Sequence, residues 1–187
     1  MMIAISGVPG VGKSQAARIL KKILDADLIS ITALVKAGKI PHTWDRARKT
    51  KIISVKDVQR AVDKITRSPK YGKRAIFIIE GHLSHLLKSD VIFVLRCQPA
   101  VLRKRLHIRN WPKKKIDENV QAELLDIITA EASASATRKK AKVYEIDTTH
   151  KTARQTAIAM SKIIESKAYG KKFKPGKIAW LKSKEII

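Results

Sequence analysis

The apolar segment Ile3-Ala4-Ile5-Ser6 runs directly into Gly7-Val8-Pro9-Gly10-Val11-Gly12-Lys13-Ser14. The octapeptide fits GxxxxGK[ST], and Ser14 to Leu24 continues with apolar residues at helical spacing. Strand, glycine loop and helix in that order are the context this motif requires. Glycines let the backbone close around an anion so that several N–H groups converge on it. The helix opening near Lys13 adds its positive dipole end. Gly7 and Gly12 are therefore expected to shape a loop for the phosphates of ATP. Lys13 is expected to bridge the β- and γ-phosphates, and the hydroxyl of Ser14 to ligate Mg2+.

Further along the chain, short apolar runs alternate with amphipathic stretches. Leu28-Ile29-Ser30, Ala75 to Ile79 (AIFII), Val91 to Leu95 (VIFVL) and Val143 to Ile146 read as strands. Runs that are apolar throughout, without alternation, belong to strands buried on both faces, which implies a parallel sheet. Helical patterns fall near residues 55–67, 99–109, 116–136 and 151–168. The expected architecture is an α/β P-loop domain resembling nucleoside monophosphate kinases, with a five-stranded parallel sheet and helices on both faces. Two regions resist this scheme. Residues 36–54 hold six basic residues against one acid, Asp45, and residues 109–115 (RNWPKKK) interrupt two helices. In a nucleotide kinase these are the places for a mobile substrate-binding segment and a lid.

With 187 residues the chain suits one domain with a substantial core. No run of about 18 apolar residues marks a transmembrane helix, and the start of the sequence does not read as a secretory leader. The single cysteine, Cys97, excludes an internal disulfide framework and favours a reducing compartment, the cytoplasm or a nucleus. Forty Lys plus Arg against sixteen Asp plus Glu leave a net charge of +24. That excess lies far outside the single-digit range of ordinary soluble domains and points to a polyanionic partner, RNA first.

A magnesium site needs an acidic contributor at the end of a neighbouring strand. The AIFII strand ends in Glu80-Gly81-His82. Glu80 is the candidate metal-site carboxylate, and His82 is the candidate for positioning a nucleophile or water. His85, one turn later, reads as a surface residue. Arg103, Arg105 and Arg109 follow the next strand, where guanidinium groups clamp phosphate bidentately. Arg109, at the junction where a lid closes, is preferred. One of the other two is expected to form only a solvated or salt-bridged face.

Gly7 to Ser14, Glu80-Gly81-His82, Val91 to Cys97, Leu102 to Arg109 and Lys115 to Ala132 occur in one order. Over about residues 1–165 this pattern resembles the adenylate kinase isoenzyme six family, also called coilin-interacting nuclear ATPases. The resemblance implies an atypical nucleoside monophosphate kinase with ATPase activity that acts in late small-subunit ribosome maturation. It implies that Gly10, Val11, Gly12, Lys13, Ser14 and Gln15 bind ATP phosphates, that Arg109 is the lid arginine, and that Glu80 and His82 form an acidic-x-His motif for metal and hydrolysis. It assigns about residues 30–53 to a monophosphate-binding segment and about 108–118 to a lid. A platform ribosomal protein of the small subunit and ribosomal RNA follow as expected partners. The chain departs from the family in having Glu80 where aspartate is usual, and in the basic character of its monophosphate segment.

The kinase-like domain is expected over residues 1–168, with a basic tail at 169–187. Seven basic residues and one acid occupy 167–187, with Tyr169, Phe173 and Trp180 interleaved. Such a segment either stacks on unpaired bases or docks its aromatics on the domain. Three functions remain open: an ATP-driven assembly enzyme, a metabolic kinase acting on AMP or another monophosphate, and an RNA-binding protein with ATP as a structural ligand.

Overall fold

The computed structural model describes residues 1–46, 50–72 and 75–182. Strand β1 (Met2–Ser6) leads through the glycine loop into helix α1 (Lys13–Leu24), and β2 (Asp27–Ser30) leads into α2 (Ile31–Lys36). A hairpin of β3 (Thr43–Asp45) and β4 (Thr50–Ile52) precedes α3 (Val55–Thr66) and β5 (Phe77–Glu80). A 3-10 turn at Ser84–Leu86 connects to β6 (Val91–Arg96), followed by α4 (Pro99–Ile108), α5 (Lys113–Leu124) and α6 (Ile127–Lys139). Strand β7 (Lys142–Asp147), α7 (Ala153–Glu165) and the short α8 (Lys167–Gly170) complete the main elements. The large sheet runs β2-β5-β1-β6-β7 with every pair parallel. The expected five-stranded parallel α/β architecture is thus the observed one.

Side-chain alternation along the strands explains the layering. Ile3, Ile5, Phe93 and Leu95 join Ala16, Ala17 and Leu20 of α1 and Ala157 and Met160 of α7 in one buried cluster. Ala4, Ile92 and Val94 point the other way, against Ala132 and Ala136 of α6. A third cluster packs Ile29, Phe77 and Ile79 against Val35 of α2 and Val58 and Val62 of α3. Among the described residues no helix is long and apolar enough to cross a membrane.

Three features differ from the sequence reading. The periodic stretch 116–136 is two helices, because Asp126 adopts φ 55° between α5 and α6. Residues 36–54 contain a β-hairpin, although Arg48 and Lys49, two of its expected basic residues, lie outside the described residues. His85 is fully buried where a surface position was expected. Docking, the second reading of the tail, is what its aromatics do. Tyr169 and Phe173 pack against the main core, and Trp180 Nε1 donates to Glu123 Oε1 at 2.9 Å. Residues 183–187 of that segment lie outside the described residues.

Candidate phosphate site

The ends of β1, β5 and β6 create the site, since a parallel sheet gathers its loops at the carboxyl edge of its strands. Gly7 has φ +132°, and a Cβ there would lie 2.4 Å from the Leu95 carbonyl oxygen. No side chain fits, so the loop leaves the sheet edge only with glycine at this position. Gly12, at φ 94°, is the N-cap of α1. Its left-handed turn aims the first turn of the helix back at the loop.

Lys13 is half-buried, and its ammonium donates to the carbonyl oxygens of Gly7 at 2.8 Å and Val8 at 3.0 Å. The side chain therefore arcs over the loop it belongs to. Desolvation lowers its pKa to about 8, opposed by the Glu80 carboxylate and assisted by the charge of Arg109. Glu80 is buried, with 5% exposure. Its Oε2 accepts from Ser14 Oγ at 3.0 Å and its Oε1 from Ser30 Oγ at 2.6 Å. Ser14 and Glu80, expected to share a metal site from positions 66 residues apart, thus meet directly. A hydroxyl and a carboxylate at one point form an all-oxygen donor set suited to magnesium. Among the described residues no cluster of three His, Cys, Asp or Glu side chains forms.

A cavity of about 650 Å³ opens over this pair. Gly10, Lys13, Gln15, Glu80, His82 and Arg109 all line it. His82 is exposed at its mouth. Partial desolvation first, then the Lys13 charge and then His85, hold its pKa below the ordinary histidine value, so the ring is neutral at pH 7. Arg109 caps the C-terminus of α4. Trp111, just before α5, and Lys115 and Asn119, on α5, also line it. Behind the loop a second cavity of about 360 Å³ shares Gly10, Gly12, Gln15 and Arg109 and adds Val11, Ile108 and Thr148.

The other two arginines are committed elsewhere. Arg103 pairs with Asp117 of α5. Arg105 Nη2 donates to the carbonyl oxygens of Thr148 and Thr149, both at 2.9 Å, and so braces the second cavity. Sequence reading missed Ser30, which also caps α2 by accepting from Ala33 N. A serine at the end of a short strand followed by Ile31-Thr32-Ala33 carries an N-cap signature that would have located it. It also missed Thr148, whose Oγ1 lies 3.0 Å from the Val11 carbonyl oxygen and supports the loop from beneath. No local motif marks that residue.

The AAA domain family matches residues 3–126. A protein of Archaeoglobus fulgidus named "Putative adenylate kinase" is 39% identical over 187 residues, covering 99% of this chain and 94% of the relative. One of Methanocaldococcus jannaschii with the same name is 37% identical over 180 residues, covering 96% and 93%. The crystal structure of a gluconokinase from Sinorhizobium meliloti 1021 matches with a TM-score of 0.52 at 14% identity, covering 90% of this chain and 95% of that one. It shares the fold.

Proposed function

This chain belongs to the AAA domain family, and from that premise we propose that it is an ATP-dependent phosphotransferase of the adenylate kinase type. It moves the γ-phosphoryl group of ATP to AMP or another nucleoside monophosphate, and to water when no acceptor is bound. The observation that carries this reading is the convergence of Lys13, the Ser14–Glu80 pair, His82 and Arg109 on one cavity. The names of the archaeal relatives support the adenylate kinase assignment.

In this mechanism the amides of Gly7, Gly10, Val11, Gly12 and Gln15 hold the β- and γ-phosphates, with the nucleoside reaching into the second cavity. An acceptor phosphate oxygen attacks the γ-phosphorus, the bond to the β–γ bridging oxygen breaks, and ADP leaves as the acceptor becomes a nucleoside diphosphate, a second ADP when the acceptor is AMP. Lys13 and Arg109 stabilise the charge that spreads over the transferring group. Ser14 and Glu80 would hold Mg2+, which would neutralise phosphate charge when bound. His82, neutral at the cavity mouth, orients the acceptor oxygen or a water. We assign residues 30–53 to monophosphate binding and 108–118 to the lid.

The finer resemblance to the adenylate kinase isoenzyme six family carries a role in small-subunit ribosome maturation in the cytoplasm, with a platform ribosomal protein and ribosomal RNA as partners. Two observations favour a polyanion: the net charge of +24, and Trp44, 57% exposed on the hairpin opposite Lys51. ADP formation measured with ATP and magnesium alone, then with AMP, then with ribosomal RNA separates the readings. AMP dependence is expected for the kinase, and RNA stimulation for the assembly enzyme. Lys13→Ala is expected to lower turnover at least about 10²-fold. Turnover retained in Lys13→Ala would contradict the mechanism.

A further inference from the structure

His85 belongs to no motif and does not line the phosphate cavity, yet it is a fully buried imidazole bonded on both sides. Its Nδ1 lies 2.8 Å from Ser6 Oγ, and its Nε2 lies 3.0 Å from Glu131 Oε2 on α6. Ser6 is the last residue of β1, immediately before Gly7, and its hydroxyl donates to the His82 carbonyl oxygen at 3.0 Å. One chain of contacts therefore joins the outer face of α6 to the backbone of His82 and to the start of the phosphate loop.

Counting protons along this chain decides the charge on His85. A carboxylate only accepts, so the 3.0 Å contact with Glu131 requires a proton on Nε2. Ser6 has one proton, and the His82 carbonyl oxygen can only accept it. With that proton spent, the 2.8 Å contact to Nδ1 requires a second proton on the ring. With the Ser6 proton on the His82 carbonyl oxygen, both ring contacts are those of an imidazolium. Glu131, its side chain 50% exposed, supplies the countercharge while staying largely hydrated. Strand β1 carries no ionisable side chain, and β6 carries only Arg96, which is bonded to Glu123, Glu145 and Asp126. His82, on its own loop, also faces His85.

We propose that His85 is a positioning residue, held as an imidazolium by Glu131, that fixes the His82 backbone through Ser6. When His85 loses its proton, the Ser6 hydroxyl turns to Nδ1 and releases the His82 carbonyl. The kinetic part of this proposal rests on the phosphotransferase reading above, and its spectroscopic part does not.

The test uses the full chain labelled with 15N, with the His85 resonances identified by their loss in His85→Asn. At pH 7 both ring nitrogens of His85 are expected to show directly bonded protons, and Glu131→Gln, which keeps the shape and removes the charge, is expected to leave one. A single protonated nitrogen in the unaltered chain would overturn the proposal, whatever the enzyme's activity. In kinetics, Glu131→Gln and Ser6→Ala are each expected to lower kcat about 3- to 10-fold, the scale of one lost hydrogen bond. KM for ATP is expected to change less than about twofold, since the ATP contacts remain. Because the two side chains act through one imidazole, the double variant is expected to be no slower than Ser6→Ala alone. Losses that multiply would overturn the relay. A chain without any phosphoryl transfer would contradict the function proposed above and leave the ring-proton measurement to decide on His85.

Discussion

Lys13 does its work under tension between burial and charge. Its ammonium sits among carbonyls with a pKa of about 8, below the ordinary 10.5. Between those two values the unfolded chain holds more protons than the folded one, so this group's contribution to stability grows as pH rises and is lost as pH falls through about 8. At pH 7 its charge is a cost to the fold, borne for function. A triphosphate beside Nζ favours the charged form, so ATP binding at pH 8.5 is expected to take up a proton fraction that vanishes at pH 6.5. Calorimetry in buffers of different ionisation enthalpy measures this directly. Equal enthalpies in all buffers at pH 8.5 would contradict the placement of Lys13 at the phosphates. Glycine, lysine and strand-end carboxylate were legible from sequence because their spacing is local and the chemistry demands those residue types. Ser6 and His85 were not, because a buried histidine is defined by partners 79 and 46 residues away.

At the scale of elements, strands β1, β5 and β6 declared themselves by unbroken apolar runs, and a parallel sheet has no other use for such runs. The break between α5 and α6 was hidden. Leu125-Asp126 contains neither glycine nor proline, and the left-handed turn at Asp126 is held by its ion pair with Arg96, a tertiary contact. The hairpin of β3 and β4 escaped because two three-residue strands carry too little pattern to register. Its exposed Trp44 lies near Arg46 and Lys51, and on the RNA reading proposed above it would stack on an unpaired base. Trp44→Ala is expected to weaken RNA affinity by about 1–3 kcal/mol and leave ATP affinity unaltered. Electrophoretic mobility shifts across a salt series would show this, and undiminished RNA binding would remove the hairpin from the interface.

Over the whole molecule, a buried polar knot ties the sheet to α5, the α5–α6 junction and the tail. Arg96, 1% exposed, donates to Glu123 at 2.7 Å and to Glu145 at 2.5 Å, and pairs with Asp126. The tail closes over the same acids: Gly176 N donates to Glu145 at 2.7 Å, and Trp180 stands 5.9 Å from the guanidinium. Segment 169–182 thus completes the domain instead of trailing from it. Its composition did not reveal this, because lysines interleaved with aromatics serve docking and nucleic-acid stacking equally well. Glu123→Ala strips a partner from a buried arginine and is expected to cost about 3–5 kcal/mol in denaturant unfolding. A loss below about 1 kcal/mol would mean the knot holds little of the fold together.

The proposed phosphoryl transfer presupposes that the turn after β1 grips a triphosphate. Equilibrium binding of ATP to the full chain, with and without magnesium, addresses that grip directly. Micromolar affinity that depends on magnesium and falls at least about 10²-fold in Lys13→Ala is the expected result. Affinity indifferent to both the ion and the lysine would contradict it.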